Sequence, residues 1–265
     1  MTAPESTRFR MMIIIALMMA EFTSAFELTM IYTALKTFFV MFGDPQAVGW
    51  VVTSYLLVSA AAAAICGKLG DMFGRKRVLM IVLVGAMTGS LISASTSDLN
   101  FIIAGRAIQG LAGAILPLCF GIAREALPLN KVPYGVSAIG STAVVSAGLG
   151  VLLGGIIVDR LEWFAIFYVS SAFAFISFCA VLIFVPNTKV TKTDSRIDVL
   201  GGLLFVPAIF GVLLAVSKGG SWGWASPITL SLLIGGICLL GIWVWHELRI
   251  DHPLINLRLL TNPQL

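Results

Sequence analysis

The chain has 265 residues, 17 Lys and Arg against 13 Asp and Glu, and only 11% charged residues beside 58% hydrophobic ones. A soluble domain carries about 25% charged residues, so this chain lacks the polar groups to cover a water-facing surface. Its mean hydropathy of +1.00 fits a membrane-embedded protein, and its net charge of +4 requires no nucleic-acid partner.

A bilayer core of about 30 Å takes about 20 apolar residues per helix. Eight runs qualify in chain order: Met11–Leu35, Val48–Cys66, Val78–Ser97, Leu99–Ile122, Val132–Val158, Trp163–Val185, Ile197–Val216 and Pro227–Trp245. No alternating barrel pattern is present, and in hydrocarbon the backbone must satisfy its own hydrogen bonds, so the expectation is an all-α membrane protein. The first run follows Arg8 and Arg10 like a secretory signal. Glu21 and Phe22 interrupt any small-residue cleavage site, so it is read as a retained helix. Cys66, Cys119, Cys179 and Cys238 fall in or beside separate runs with no metal-ligand spacing, and are read as small buried hydrophobes. No metal, cofactor or nucleotide-binding loop is indicated, which argues against an enzyme and against ATP hydrolysis by this chain.

Charge sets the expected orientation. With the N-terminus in the cytoplasm, the cytoplasmic segments hold Arg8, Arg10, Lys68, Arg75, Lys76, Arg77, Arg124, Lys131, Lys189, Lys192, Arg196, Arg249 and Arg258, which is 13 of the 17 cations. Lys36, Arg160 and Lys218 fall outside, and Arg106 lies inside the fourth run. This is the positive-inside pattern, and it predicts a multi-pass protein of the cell membrane with both termini of this chain cytoplasmic.

Between the second and third runs stands "GKLGDMFGRKRV", residues 67–78. Gly67 and Gly70 suit close backbone approach and Gly74 a tight turn. Asp71 can accept from Arg75 four residues on, and the remaining cations, Lys76 and Arg77 among them, suit an anionic membrane face. This stretch resembles the signature loop G-[KR]-L-x-D-x-[FY]-G-R-[KR]-[KR] of the major facilitator superfamily. In the fourth run, Arg106, Gln109, Gly110 and Gly113 of "RAIQGLAG" share one helix face. They resemble the family's membrane-embedded arginine motif. An arginine at that depth costs at least ~2.5–3.5 kcal/mol and needs a partner or a wet cavity. In the fifth run, "GLGVLLGG" is similar to the family's antiporter motif, with Gly150, Gly154 and Gly155 matching, Gly140 matching upstream, and Val151 where proline is usual. Glycines four apart let helices pack closely. "FELTMIYTALK" in the first run resembles a motif of fourteen-helix drug/proton antiporters, with Thr29, Ala34 and Leu35 kept. Glu27 stands for its aspartate, Tyr32 for its asparagine and Lys36 for its proline.

The resemblance implies a six-helix transporter half over residues 1–186, a cytoplasmic linker at 187–196, two additional transmembrane helices over 197–246, and a connector at 247–265 toward a second half. The expectation is an N-terminal part of a longer transporter, its missing half supplied by the same polypeptide or by a second copy. The family also implies two inverted three-helix repeats, although no internal repeat is visible in the sequence.

Glu21 and Glu27 are the acids of the first run. At 1.5 Å rise per residue they lie about 15 and 24 Å from Met11, and Arg106 lies roughly 10 Å below the opposite edge, so the three fall at similar depths. Six residues turn a helix by about 600°, which sets the two acids about 120° apart. Glu27 is expected as the cavity acid, and Glu21 as the partner of Arg106 or a second protonation site. The alternative is that both are structural, bonded to Ser24, Thr23 or Arg106. In the mechanism implied, a proton from outside and a small amphipathic substrate from inside compete for buried carboxylates while the bundle rocks between two openings. Phe22, Phe26 and Phe167 could stack on flat lipophilic molecules or simply fill the core. Trp222 and Trp224 fit an outer interfacial belt. A transporter of another solute, such as a metabolite or siderophore, and an inactive membrane fragment remain the competing readings.

Overall fold

The structure, a computed structural model, describes residues 7–187 and 198–250. Among these residues it consists of the helices α1 (Thr7–Phe42), α2 (Pro45–Phe73), α3 (Arg75–Ala94), α4 (Leu99–Gln109), α5 (Ile115–Ala126), α6 (Val132–Arg160), α7 (Ala165–Phe184), α8 (Val199–Trp222) and α9 (Pro227–Glu247). A short 3-10 helix, Gly110–Ala114, joins α4 to α5, so these three pieces form the fourth span. Eight spans are long and apolar enough to cross a membrane, and the chain is an integral membrane protein. The expected linker at 187–196 and connector at 247–265 lie, but for residues 187 and 247–250, outside the described residues.

Several boundaries differ from expectation for local reasons. The first span runs past Lys36 to Phe42, where Gly43 takes a positive φ of 69°. The seventh runs past Lys218 to Trp222. In both, the apolar composition ends before the helix does. The stretch expected to be a loop, residues 67–77, is almost wholly helical. Gly74 alone breaks it, at φ 94°, and its N–H closes α2 on the Gly70 carbonyl at 2.9 Å. Helix starts carry ordinary caps: Asp44 accepts from the Gln46 and Ala47 amides ahead of Pro45, and Asp98 accepts from Asn100. The 3-10 break follows from Pro117, which has no N–H and whose ring crowds the carbonyl four residues back, at Gly113.

Residues 1–190 and 191–265 are two separate compact units. In the first, α1 packs on α6 and α7, the fourth span packs on α2 and α3, and α3 packs on α7. Exchanging spans one, two and three with four, five and six maps this set of neighbours onto itself. That is the signature of a repeat in packing, and since each block of three begins on the opposite membrane side, the blocks are inverted. Glycines set the crossings. A Cβ on Gly110 would stand 2.6 Å from the Tyr55 carbonyl oxygen, and one on Gly113 2.7 Å from that of Ser59. In the matching pair, Gly150 lies against Thr29 and Phe26, and Gly154 against Met30. Gly155, expected with them, has nothing within 4 Å of its Cβ position, and neither does Gly67. One close crossing was not foreseen: a Cβ on Gly89 would lie 2.6 Å from the Gly105 carbonyl oxygen and 2.7 Å from the Gln109 nitrogen.

The second unit is the α8–α9 hairpin. Gly236 lies against the Ala208 carbonyl and Val212, Phe205 and Trp243 rings meet at 4.8 Å, and His246 Nε2 sits 3.0 Å from the Asp198 carboxylate. Cys66 and Cys119 are buried as expected, but Cys179 is half-buried and Cys238 exposed, because they occupy outward faces of their helices.

Main-chain contact of Gly89 with both Gly105 and Gln109 of α4 predicts that Gly89→Ala forces α3 and α4 apart and destabilises the protein by about 1–3 kcal/mol. Gly155→Ala should be neutral or stabilising by up to ~1 kcal/mol, the helix-propensity difference. Thermal unfolding in detergent measures both, and equal losses would refute the assignment of the crossing.

Candidate functional site

Two constellations join the helices of the first unit. The first lies at the α2–α3 junction. Arg75 donates from Nε (3.0 Å) and Nη2 (2.7 Å) to Oδ1 of Asp71, and from Nη1 to Glu125 on α5 at 2.9 Å. Gly70 and Gly121 make room for this arginine: a Cβ on either would meet its side chain, at 3.0 and 2.6 Å. Lys76 reaches another element and donates to the Leu182 carbonyl at 3.0 Å, in the last turn of α7. The carboxylates of Asp71 and Glu125 remain 49% and 34% exposed. Such half-exposed pairs are worth at most about 1 kcal/mol each, so their effect is to fix the relative positions of α2, α3 and α5. Gly67, Asp71, Arg75 and Arg124 line a cleft of about 280 Å³ beside Pro117 and Gly121.

The second constellation is buried at the centre of the unit around Arg106, which is fully enclosed. Its Nε donates to the Val51 carbonyl at 3.2 Å, and its Nη1 to the Glu27 carbonyl at 3.2 Å and to Oε1 of Gln109 at 2.9 Å. The Tyr55 ring lies 4.2 Å from its Cζ, a cation–π contact. Gln109 passes the connection on: its Nε2 donates to Ser90 Oγ. Ser170 on α7 donates to Oε1 of Glu27 at 2.6 Å. Ser90 Oγ stands 2.8 Å from the Ala86 carbonyl and 3.3 Å from the same Glu27 oxygen. A hydroxyl has one proton to donate, so Ser90 serves either its own helix or the carboxylate. Glu27 Oε2 and Arg106 Nη2 are buried and have no hydrogen-bond partner among the described residues.

This arrangement corrects several expectations. Among the described residues Arg106 makes no ion pair, and it is the Glu27 peptide carbonyl rather than a Glu21 carboxylate that receives it. Glu27 is fully enclosed between α1, α3 and α7 instead of facing an open surface. Glu21 is 3% exposed, with one buried oxygen that has no hydrogen-bond partner among the described residues, and lies within electrostatic reach of Cys119 and Tyr55. The two acids therefore address different neighbours, as their angular separation requires. Neither is held by Ser24, which donates to the Ala112 carbonyl, nor by Thr23, which pairs with Met19 and Ser177. Phe26 and Phe167 are core residues, whereas Phe22 lines an apolar groove of about 390 Å³ with Met18, Phe173 and Ile176. The residues that sequence patterns missed are Tyr55, Ser90, Ser170, Gly121 and Glu125. Only Glu125 had a usable signal, as an acid beside Arg124 at the end of a span.

The sequence profile of the Major Facilitator Superfamily matches residues 17–245. An uncharacterized MFS-type transporter of Bacillus subtilis, YvkA, is 30% identical over 97% of this chain and 57% of its own length. Efflux pump dotC of Dothistroma septosporum is 31% identical, over 93% and 44%. Lincomycin resistance protein LmrB of Listeria monocytogenes is 30% identical, over 95% and 54%. The chain thus spans about half the length of these relatives. Among solved structures, the POT family transporter PepTSo superposes with a TM-score of 0.57 at 13% identity, over 94% of this chain and 56% of that one. The human organic anion transporter MFSD10 does so with 0.54 at 15%, over 92% and 73%. Both likenesses concern the fold.

The short Ser170–Glu27 hydrogen bond generates a test that needs no substrate. Ser170→Ala should lower stability by about 1–3 kcal/mol, the range for a buried acceptor losing its donor. Ser146→Ala, which removes a hydroxyl bonded only within its own helix, should change stability little. Equal melting temperatures for wild type and Ser170→Ala would contradict the network.

Proposed function

This chain belongs to the Major Facilitator Superfamily, and from that premise we propose that it forms the N-terminal part of a proton-coupled exporter of small amphipathic molecules. The observation that carries the reading is a buried carboxylate, Glu27, tied through Ser170, Ser90 and Gln109 to a buried arginine. The network takes members from both three-span blocks: α1 and α3 from one, α4 and α7 from the other. A proton arriving on Glu27 removes a charge from this junction and leaves the Ser90 hydroxyl to donate its hydrogen bond to the Ala86 carbonyl. The packing of one block on the other then depends on the proton, and alternating access is a change in such packing. Glu21, with its unpaired oxygen, is a second site at which proton and substrate exclude each other. Asp71, Arg75 and Glu125 latch the bundle in one of its two openings. The names of dotC and LmrB, an efflux pump and a resistance protein, support export as the direction.

The second reading, a facilitator-fold transporter of another solute, is favoured by the departures Glu27, Tyr32, Lys36 and Val151 from the antiporter patterns.

Coupling is tested in proteoliposomes carrying the complete transporter under an imposed pH gradient. Glu27→Gln should abolish gradient-driven export while leaving some substrate binding, because glutamine keeps the size but cannot titrate. Asp71→Asn should slow cycling with expression kept. If Glu27→Gln and Glu21→Gln both transport normally, proton antiport is wrong and the second reading stands. Topology is tested separately. A cysteine at 71 should react only from the cytoplasm and one at 221 only from outside, and external labelling of 71 would overturn the orientation drawn from the charge distribution.

A further inference from the structure

One cation of the 67–78 stretch that enters none of the interactions above is Arg77. It is exposed on the first turn of α3 and makes no hydrogen bond or ion pair with any described residue. Its neighbours are engaged: Arg75 with two carboxylates, Lys76 with the Leu182 carbonyl. Running from Arg77 along the α3–α7 surface is a groove of about 430 Å³ lined by Met80, Ile81, Val84 and Phe178. Arg77, Ile81 and Val84 are spaced i, i+4 and i+7, one stripe of α3, and Ile81 is 68% exposed. We propose that this groove binds an anionic glycerophospholipid, its phosphate on Arg77 and the upper part of one acyl chain against Ile81, Val84 and Phe178.

The argument is complementarity in two parts. The groove has no polar side chain except at its Arg77 end, so water gains nothing there and an acyl chain is the apolar material a bilayer supplies. Arg77 stands two residues inside the start of a membrane span, at headgroup depth. Seven residues at 1.5 Å carry the stripe about 10 Å inward, roughly a third of a ~30 Å core, which is where the first half of an acyl chain lies. No described carboxylate pairs with Arg77, so a zwitterionic headgroup would leave its charge unbalanced, whereas an anionic one balances it. The α3 N-terminus adds to the attraction, since Gly74 provides no side-chain cap to its first amides.

Lipid-specific quenching tests the site. A bimane on Thr88→Cys, the next exposed position along the stripe, is placed in the full chain with its four cysteines changed to alanine. The protein is reconstituted in phosphatidylcholine vesicles titrated with brominated phosphatidylglycerol or brominated phosphatidylcholine. Phosphatidylglycerol should quench with about a fivefold preference, the scale of one basic residue at an anionic headgroup. Arg77→Gln should reduce the preference to near unity, and Lys131→Gln, which removes an exposed cation elsewhere, should preserve it. Val84→Trp, which fills the groove and keeps Arg77, should also reduce it. Equal quenching by the two lipids, equal losses in Arg77→Gln and Lys131→Gln, or full preference in Val84→Trp overturns the site in favour of diffuse surface charge. No quenching by either lipid overturns it in favour of a groove covered by protein.

Discussion

The first unit is organised around a charge that has nowhere else to go. Arg106 sits at the centre of an apolar bundle and forms no ion pair among the described residues, and its guanidinium is divided among two peptide carbonyls, one amide oxygen and a tyrosine ring. Those four groups come from three helices: Val51 and Tyr55 on α2, Glu27 on α1 and Gln109 on the arginine's own α4. Neutral acceptors spread the charge over several helices, where a single carboxylate would have concentrated it in one pair. The helices cannot separate without exposing a buried cation to hydrocarbon, so the arginine sets a geometric condition on three of them at once.

That condition is met only because the backbones approach closely enough. Gly89 and Gly105 bring α3 and α4 into main-chain contact one residue from Arg106, which puts Gln109 within reach of Ser90. Gly110 and Gly113 do the same between the fourth span and α2. In a lipid environment apolar surface gives little preference for helix over lipid, so packing and hydrogen bonds determine association. Here the two are one device: small residues allow the approach, and the approach closes the polar network.

How much of this was legible follows from the range of each interaction. Arg106, Gln109, Gly110 and Gly113 were legible because they share a helix face within eight residues. Glu27 was visible as an acid in an apolar run, but its donors Ser90 and Ser170 are 63 and 143 residues away and isolated serines carry no pattern. The assumption that a buried arginine faces an acid led to Glu21, whereas carbonyls, which every residue has, took that place. The repeat was hidden for a related reason: it is kept in which spans touch, with different side chains at the contacts. Helix ends at Phe42 and Trp222 were misplaced because hydropathy records composition, while glycine at positive φ and hydrogen bonds decide where a helix stops.

The α8–α9 hairpin is complete in itself. Its crossing is set by Gly211 and Gly236 within the pair, its starts are capped by Asp198 and Ser226, and the Asp198–His246 contact ties its open end. A helical pair that carries its own crossing and caps its own helix starts can insert into a bilayer as a finished piece. The same pair is thus a separable unit of membrane insertion, its register set by contacts that lie wholly between α8 and α9.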